Sequence, residues 1–208
     1  MRFYWGSNAM MSHSGVHTLL FILIVASMSG CNSGVAPAKY ILPVPPVVVV
    51  RGQDIQRVLL TRLQLPSYAR NAAISTLQSN LSVLESQDAE WAVPPTEAVT
   101  TALVRHLETT IEGEIRLRPI ARSFQPHARV AVTFDVFARL PSNAALVEGQ
   151  YTVDREENSY SKRFSFEVSA ADRDMTSYMR ATSMALSMLA DAIGADLSKQ
   201  VGEGDEDR

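Results

Sequence analysis

An alternation of apolar and polar residues, which runs with two interruptions from Val130 to Val168, constrains the fold more than any other feature. Along one face lie Val130, Val132, Phe134, Val136 and Ala138, then Val147, Gly149, Tyr151 and Val153, and finally Tyr160, Lys162, Phe164, Phe166 and Val168. Polar turn residues separate the three runs. Successive side chains of a β-strand point to opposite faces of the sheet. The pattern therefore predicts an antiparallel meander of three strands with one polar face.

Shorter apolar runs bounded by turn residues predict further strands before the meander. The candidates are residues 40–42, 47–50, 57–64, 72–78 and 81–87. Because prolines follow the first of these runs, we expect residues 40–42 to form a short strand at a sheet edge.

Two segments, about 95–112 and 173–199, repeat their apolar residues at helical spacing. Prolines open the first helix, where backbone amides need no partner, and Gly113 ends it. The apolar stripe of the second consists of Met175, Tyr178, Thr182, Leu186, Leu189, Ile193 and Leu197. This order of elements predicts an α/β fold: a single domain with a mixed β-sheet, an antiparallel meander and two main helices. We expect the first helix to form a right-handed crossover.

The segment LLFILIVA at residues 19–26 is too short for a spanning helix, which needs about 20 apolar residues. A run of this length is typical of a secretory signal peptide. Small residues follow and lead to Cys31, the single cysteine of the chain. Met28-Ser29-Gly30-Cys31 resembles the bacterial lipobox, in which the cysteine sulfur receives a diacylglycerol and its new amine a third acyl chain such as palmitate. We therefore expect cleavage before Cys31 and lipidation of its sulfur.

The predicted organisation is a lipoprotein signal peptide at 1–30, a lipidated tether at 31–46, a folded domain at 47–199 and an acidic disordered tail at 200–208. The start codon stays open between Met1, Met10 and Met11. Because each buried methylene contributes about 0.8 kcal/mol, several acyl chains hold a protein on a membrane firmly. Asn32 stands where aspartate favours inner-membrane retention in enteric bacteria. We therefore expect the outer membrane, facing the periplasm.

Composition and motifs argue against catalysis and nucleic-acid binding. With 46% hydrophobic residues and a net charge of −3, the chain is neither disordered nor basic enough for a nucleic-acid binder. One cysteine excludes a disulfide framework and a four-cysteine zinc site. After cleavage only His106 and His127 remain, and they share no ligand spacing. We predict no catalytic, cofactor-binding or metal site, although a hydrolase built from residues distant in sequence stays open.

Four landmarks occur in the order and spacing of a known family. They are Lys39-Tyr40-Ile41-Leu42, Pro66-Ser67-Tyr68-Ala69-Arg70, Glu90-Trp91-Ala92 and the alanine-rich segment 181–197. Because these landmarks occur in this order, the chain resembles the ABC-type transport auxiliary lipoproteins, the paraquat-inducible protein C-like family. The second landmark is similar to the family's Pro-x-Tyr-Leu-Asp-Arg segment, but lacks its leucine and aspartate.

The resemblance implies a non-enzymatic role in moving lipids between two membranes. Family members work beside an ABC permease and ATPase and dock on a periplasmic MCE-domain protein, and some assemble into rings, which makes a homo-oligomer an expectation here. Carried over to this chain, the candidate interface residues are Tyr68, Arg70 and Trp91. Trp91 could fill the core or be an exposed anchor for a partner. Arg70 could form a structural ion pair or belong to the interface.

Two other functions stay open at this point. A lipoprotein of this fold can regulate a cell-wall synthase, but that role needs a long tether, and few residues separate Cys31 from the first strand candidate at 40–42. Direct carriage of a lipid in an apolar cavity is compatible with the methionine-rich second helix.

Overall fold

A computed structural model of the chain describes residues 36–46, 56–111, 113–117, 124–156 and 158–199. Within these residues lie eight strands of one mixed sheet and two α-helices, and the sheet does not close into a barrel. The strands are β1 (Ala38–Tyr40), β2 (Arg57–Gln64), β3 (Ala73–Leu77), β4 (Val83–Trp91), β5 (Glu114–Leu117), β6 (Ala128–Arg139), β7 (Ala144–Asp154) and β8 (Ser159–Ser169). The helices are α1 (Pro95–Ile111) and α2 (Met175–Lys199), and a short 3-10 helix spans Ser67–Arg70.

The meander predicted from the alternation is confirmed. β6, β7 and β8 pair antiparallel in that order over almost their whole lengths. Asn143, with a left-handed φ of 67°, lies in the turn between β6 and β7. The polar side chains of the alternation lie on one face of these strands, and solvent reaches that face, as the pattern indicated.

One detail of the alternation is wrong. A β-bulge in β6 shifts the register between Phe134 and Val136. Because an extra residue on one strand reverses which side chains point inward, Phe137 enters the core in place of Val136. The bulge lies beside Gly149, where a Cβ atom would come within 2.1 Å of the Thr133 carbonyl oxygen. Residues 136–138 are all apolar, so the alternation does not show which of them point inward.

The remaining strands extend the sheet from the other edge of β6. That edge pairs in parallel with β2 at residues 128–133 and with β3 at Arg139. β2 then pairs in parallel with β5, while β3 pairs antiparallel with β4, and β4 in parallel with β1. The strand predicted at 57–64 coincides with β2, and the one at 72–78 contains β3. The strand predicted at 81–87 exists but begins later and runs on to Trp91.

The leading segment, residues 36–46, joins the domain. The predicted edge strand is present at Ala38–Tyr40, two residues earlier than expected, and Leu42 is buried in the core. This part of the range predicted as tether is therefore folded. The strand candidate at 47–50, the signal peptide, Cys31 and the tail at 200–208 lie outside the described residues.

Both helices lie where their periodicity predicted them, and they pack on each other and on the sheet. The buried face of α1 consists of Ala98, Val99, Ala102, Leu103 and Leu107. In α2, the predicted positions Tyr178, Leu186, Leu189, Ile193 and Leu197 are all buried. Of the helices described here, none is both long and apolar enough to cross a bilayer.

Candidate docking site

Trp91 lies at the carboxyl end of β4, between β1 and the residues that lead into β3. Its backbone pairs with Tyr40 of β1, and its N–H donates to the Ala72 carbonyl oxygen at 2.8 Å. The side chain is only 6% exposed, and its ring centroid lies 6.3 Å from that of Phe137. Because a side chain acts as a binding hot spot only where a partner can reach it, the structure favours the core role for Trp91.

Tyr68 belongs to the 3-10 helix and is half-buried. Its hydroxyl oxygen accepts a hydrogen bond from the Phe137 N–H at 3.2 Å. Burial raises the pKa of Tyr68, and the Phe137 hydrogen bond opposes that rise. The Tyr68 carbonyl oxygen accepts a second hydrogen bond, from the Ser75 hydroxyl at 3.0 Å. These bonds fix the 3-10 helix against β3 and β6.

Arg70 ends the same 3-10 helix and is exposed. It lies two residues before Ala72, whose carbonyl oxygen binds the Trp91 backbone. The structure thus brings the three predicted residues to one region of the sheet. Tyr68 and Trp91 both contact Phe137, while Arg70 presents a charged group to solvent.

Phe137 is the residue that sequence reasoning missed. It is 3% exposed and also packs edge-on against Phe134, with ring centroids 5.6 Å apart. An aromatic residue between two apolar positions of an alternating strand was the available signal. Its side chain reaches the core only because of the bulge at Phe134 and Val136.

His106 connects α1 with α2 and with the leading segment. Its Nε2 lies 3.1 Å from the Ser183 hydroxyl, which donates its own hydrogen to the Pro43 carbonyl oxygen at 2.8 Å. Since a hydroxyl has one hydrogen to donate, His106 must donate from Nε2. Burial lowers the pKa of His106, and the nearby Asp191 carboxylate partly opposes this. His106 is therefore a packed structural residue.

A cluster of charged and aromatic residues joins the carboxyl end of α2 to β7 and β8. Asp196 is 6% exposed and accepts hydrogen bonds of 2.6 Å from the Tyr151 hydroxyl and from the Lys162 ammonium group. The same ammonium lies 5.6 Å from the Tyr160 ring centroid. The pKa of Tyr151 is raised, mainly because the hydroxyl is buried and to a smaller extent because it donates a hydrogen bond to Asp196. The sequence signal for this cluster was Lys162, a charge on the inward face of the third meander strand.

His127 lies at the surface, and its Nδ1 accepts a hydrogen bond from the Arg57 backbone N–H at 3.2 Å. His106 and His127 therefore have separate structural partners. Across the described ranges, no three histidine, cysteine, aspartate or glutamate residues lie close enough to hold a metal ion.

The match to a family model shows which family this chain belongs to. The model of the ABC-type transport auxiliary lipoprotein component matches residues 40–194, from β1 through most of α2. The chain belongs to this family. As a family member, the protein is an auxiliary component of an ABC-type transport system of the cell envelope. The match spans Tyr68, Arg70 and Trp91, but begins after Cys31.

Two solved structures share the fold of this chain. A crystal structure described only as an uncharacterized protein is 15% identical, covers 78% of this chain and 99% of its own, and has a TM-score of 0.65. A protein from Xanthomonas campestris, of the family DUF330, is 18% identical over 79% of this chain and 97% of its own, with a TM-score of 0.56. At these identities the likeness concerns the fold alone. No curated protein matches the chain.

Proposed function

We propose that this protein is the non-enzymatic docking subunit of an intermembrane lipid-transport system. In this proposal acyl chains on Cys31 hold it in the outer membrane, facing the periplasm. Its direct partner is an MCE-domain protein, behind which stand an ABC permease and an ATPase, and it can assemble with copies of itself. The observation that carries the proposal is the family match over residues 40–194.

The anchoring part of the proposal rests on the lipobox-like sequence before Cys31. That cysteine lies five residues before Ala36, where the described structure begins, and seven before β1. The folded domain therefore lies close to any membrane that holds the acyl chains, because extended chain covers only about 3.3 Å per residue. A tether this short favours a partner that itself reaches the membrane surface.

The docking part of the proposal assigns different roles to the three candidate residues. Arg70 is exposed and offers a planar group suited to a carboxylate of the partner. Tyr68 is half-buried and Trp91 is buried, and both contact Phe137, which holds the 3-10 helix and the end of β4 in place. Arg70 is thus the direct contact of the proposal, and the two aromatic residues position it.

Crosslinking in intact cells, followed by identification of the captured protein, tests this function. We expect the wild-type chain to capture an MCE-domain protein and to sediment with membranes. The Cys31→Ser variant should leave the membrane fraction and lose most of the capture, since it no longer concentrates at the membrane. Recovery of Cys31→Ser in the membrane fraction would contradict the anchor.

An Arg70→Glu variant tests the contact, with Arg163→Glu as its matched control. Both arginines are exposed, but Arg163 lies on β8 and pairs with Asp135 at 2.9 Å. We expect Arg70→Glu to reduce capture at least about tenfold, because a charge reversal at a direct contact adds repulsion, and Arg163→Glu to leave it unchanged. Capture of a cell-wall synthase, or purification with a bound lipid and no protein partner, would replace docking by one of the alternative functions.

A further inference from the structure

Of the described strands that lie at an edge of the sheet, β8 is the longest. One side of β8 pairs with β7 along all 11 residues, and no other described strand pairs with its second side. The edge strands β1 and β5 have only 3 and 4 residues. Native proteins usually shorten or interrupt an edge strand, because its N–H and C=O groups can pair with another chain. β8 contains no proline, and its register on β7 is continuous.

The backbone groups on the second side of β8 belong to its odd-numbered residues. In an antiparallel pair, opposite residues alternate between hydrogen-bonded and non-hydrogen-bonded pairs. The Arg155 N–H donates to the Asn158 carbonyl oxygen at 2.9 Å, so this pair is of the hydrogen-bonded kind. When the register is followed from Asn158 along β8, the even-numbered residues bond to β7. The odd-numbered residues therefore direct their N–H and C=O groups away from β7.

The charges of β8 do not guard this edge against pairing. A lysine in an edge strand commonly hinders pairing with another chain. In β8, however, the Lys162 ammonium group donates to the Asp196 carboxylate of α2 at 2.6 Å, so its charge is held within its own chain. The other two charged residues of the strand, Arg163 and Glu167, are exposed and have opposite signs.

A second copy of β8 fits this edge in one register better than in any other. Two identical strands that pair antiparallel are related by a two-fold axis, and odd-numbered residues must lie opposite odd-numbered residues. With the axis at Ser165, Arg163 lies opposite Glu167 of the second copy, and Glu167 opposite Arg163. An axis at Arg163 or at Glu167 would place like charges opposite each other. An axis at Phe164 or at Phe166 would give no charge pair.

We propose that two copies of this chain join antiparallel through β8, in the register centred on Ser165, so that their sheets become one. The inference rests on the self-assembly included in the proposed function, but it is independent of the lipid anchor and of the MCE partner. Backbone hydrogen bonds supply the pairing, and the two Arg163–Glu167 pairs select the second copy and the register. Arg163 also binds Asp135 at 2.9 Å, and a guanidinium has donors enough for both carboxylates.

Thiol crosslinking of the purified full chain tests the register. In a Ser165→Cys dimer the two new thiols lie on neighbouring strands, about 5 Å apart. Ser161→Cys is the matched control: it is also exposed and also loses one hydroxyl hydrogen bond, but its two copies would lie about 26 Å apart along the strands. With a short bismaleimide, we expect at least about fivefold more linked dimer from Ser165→Cys. Mass spectrometry of the linked peptides separates this product from links through Cys31.

Charge variants in the Ser165→Cys background test the selection of the partner. Arg163→Glu and Glu167→Arg each place like charges opposite each other in both symmetric pairs. We expect each to reduce the linked dimer at least about fivefold, and the two changes together to restore most of it. Asp135→Asn is the control, because it removes the partner of Arg163 within the chain but leaves the proposed seam intact. Its yield of dimer should not fall.

The outcomes separate this inference from docking. Arg163→Glu should lose the dimer and keep the capture of an MCE-domain protein, since Arg70 makes that contact. Equal linking of Ser165→Cys and Ser161→Cys overturns the inference, as does assembly that neither charge variant weakens, which would assign self-assembly to another surface. Linking of Ser165→Cys to a different protein in intact cells would give the edge to that protein and would also overturn it.

Discussion

Asn143 shows how much one side chain contributes to the joint between the meander and α2. It is 2% exposed and adopts a left-handed φ of 67° in the turn between β6 and β7. Its amide nitrogen donates to the carbonyl oxygens of Asp172, at 2.5 Å, and Asp174, at 3.2 Å. Its amide oxygen accepts from the Arg139 Nε at 2.6 Å. The turn and the start of α2 are therefore held by the same buried amide.

Replacement of Asn143 separates its hydrogen bonds from its backbone conformation. We expect Asn143→Ala to lower the free energy of unfolding by about 3 kcal/mol, because buried partners lose their hydrogen bonds and alanine resists the left-handed conformation. Asn143→Gly keeps the conformation and should be about 1 kcal/mol less destabilised than Asn143→Ala. Urea unfolding measures both. Equal losses for the two variants would show that the backbone conformation contributes nothing.

The candidate site was partly predictable at the scale of single residues. The landmarks indicated Tyr68, Arg70 and Trp91, and the structure brings all three to one region. Which of them faces solvent could not be read from the sequence, since Tyr, Trp and Arg all occur in cores and at interfaces. Phe137 joins the two aromatic residues: its ring contacts Trp91, and its backbone N–H donates to the Tyr68 hydroxyl oxygen.

Among the elements, the bulge in β6 depends on a close approach by β7. Gly149 pairs with Phe134 just before the register shift, and a Cβ atom there would also lie 2.9 Å from the Phe134 Cα. The neighbouring atoms are backbone, which cannot move without distorting both strands. A glycine inside a strand is unfavourable by itself, so the close approach explains its presence.

Gly149→Ala should lower the free energy of unfolding by at least about 2 kcal/mol, because the added methyl group overlaps the backbone of β6. Gly194→Ala is the control. Its Cβ would lie 2.5 Å from the Thr110 Cγ2, an exposed side-chain methyl that can shift, and alanine also favours the helix by about 1 kcal/mol. We expect Gly194→Ala to be much less destabilising in the same urea experiment. A neutral Gly149→Ala would mean that the two strands are free to separate at the bulge.

For the whole molecule, His106 links three parts of the chain that are distant in sequence. Through Ser183 it joins α1 and α2 to the leading segment at Pro43. This chain of hydrogen bonds holds the segment that leads from Cys31 against the helices. The neutral imidazole is the form that fits, since burial lowers the pKa of His106.

Stability should therefore fall as the solution becomes acidic. Below pH 6.5, the ordinary histidine pKa, the unfolded chain binds a proton at His106 more readily than the folded chain, so the free energy of unfolding decreases as pH falls. Urea unfolding at pH 7.5, 6.5 and 5.5 measures this slope. Asp88 and Asp174 have pKa values lowered from 3.8 and titrate below this range.

His106→Gln is the matched control for this pH dependence. Glutamine can still donate to the Ser183 hydroxyl but does not titrate. We expect this variant to lose a substantial part of the slope between pH 7.5 and 5.5 while keeping its stability at pH 7.5. An unchanged slope would assign the pH dependence to another group.

The sequence by itself determined the elements whose signal is local. The alternation from Val130 to Val168 specified the meander, and helical spacing specified α1 and α2, because each pattern repeats within one element. The four landmarks indicated the family that the match over residues 40–194 shows.

Only the tertiary structure decided what depends on contacts between distant segments. The parallel pairing of β1 with β4, the entry of Phe137 into the core and the Asp196 cluster each join residues far apart in the chain. A periodic pattern states which side of an element is apolar, but it does not state which element covers that side. That choice follows from how strands and helices fit together, because a one-residue register shift reverses the face that each side chain occupies.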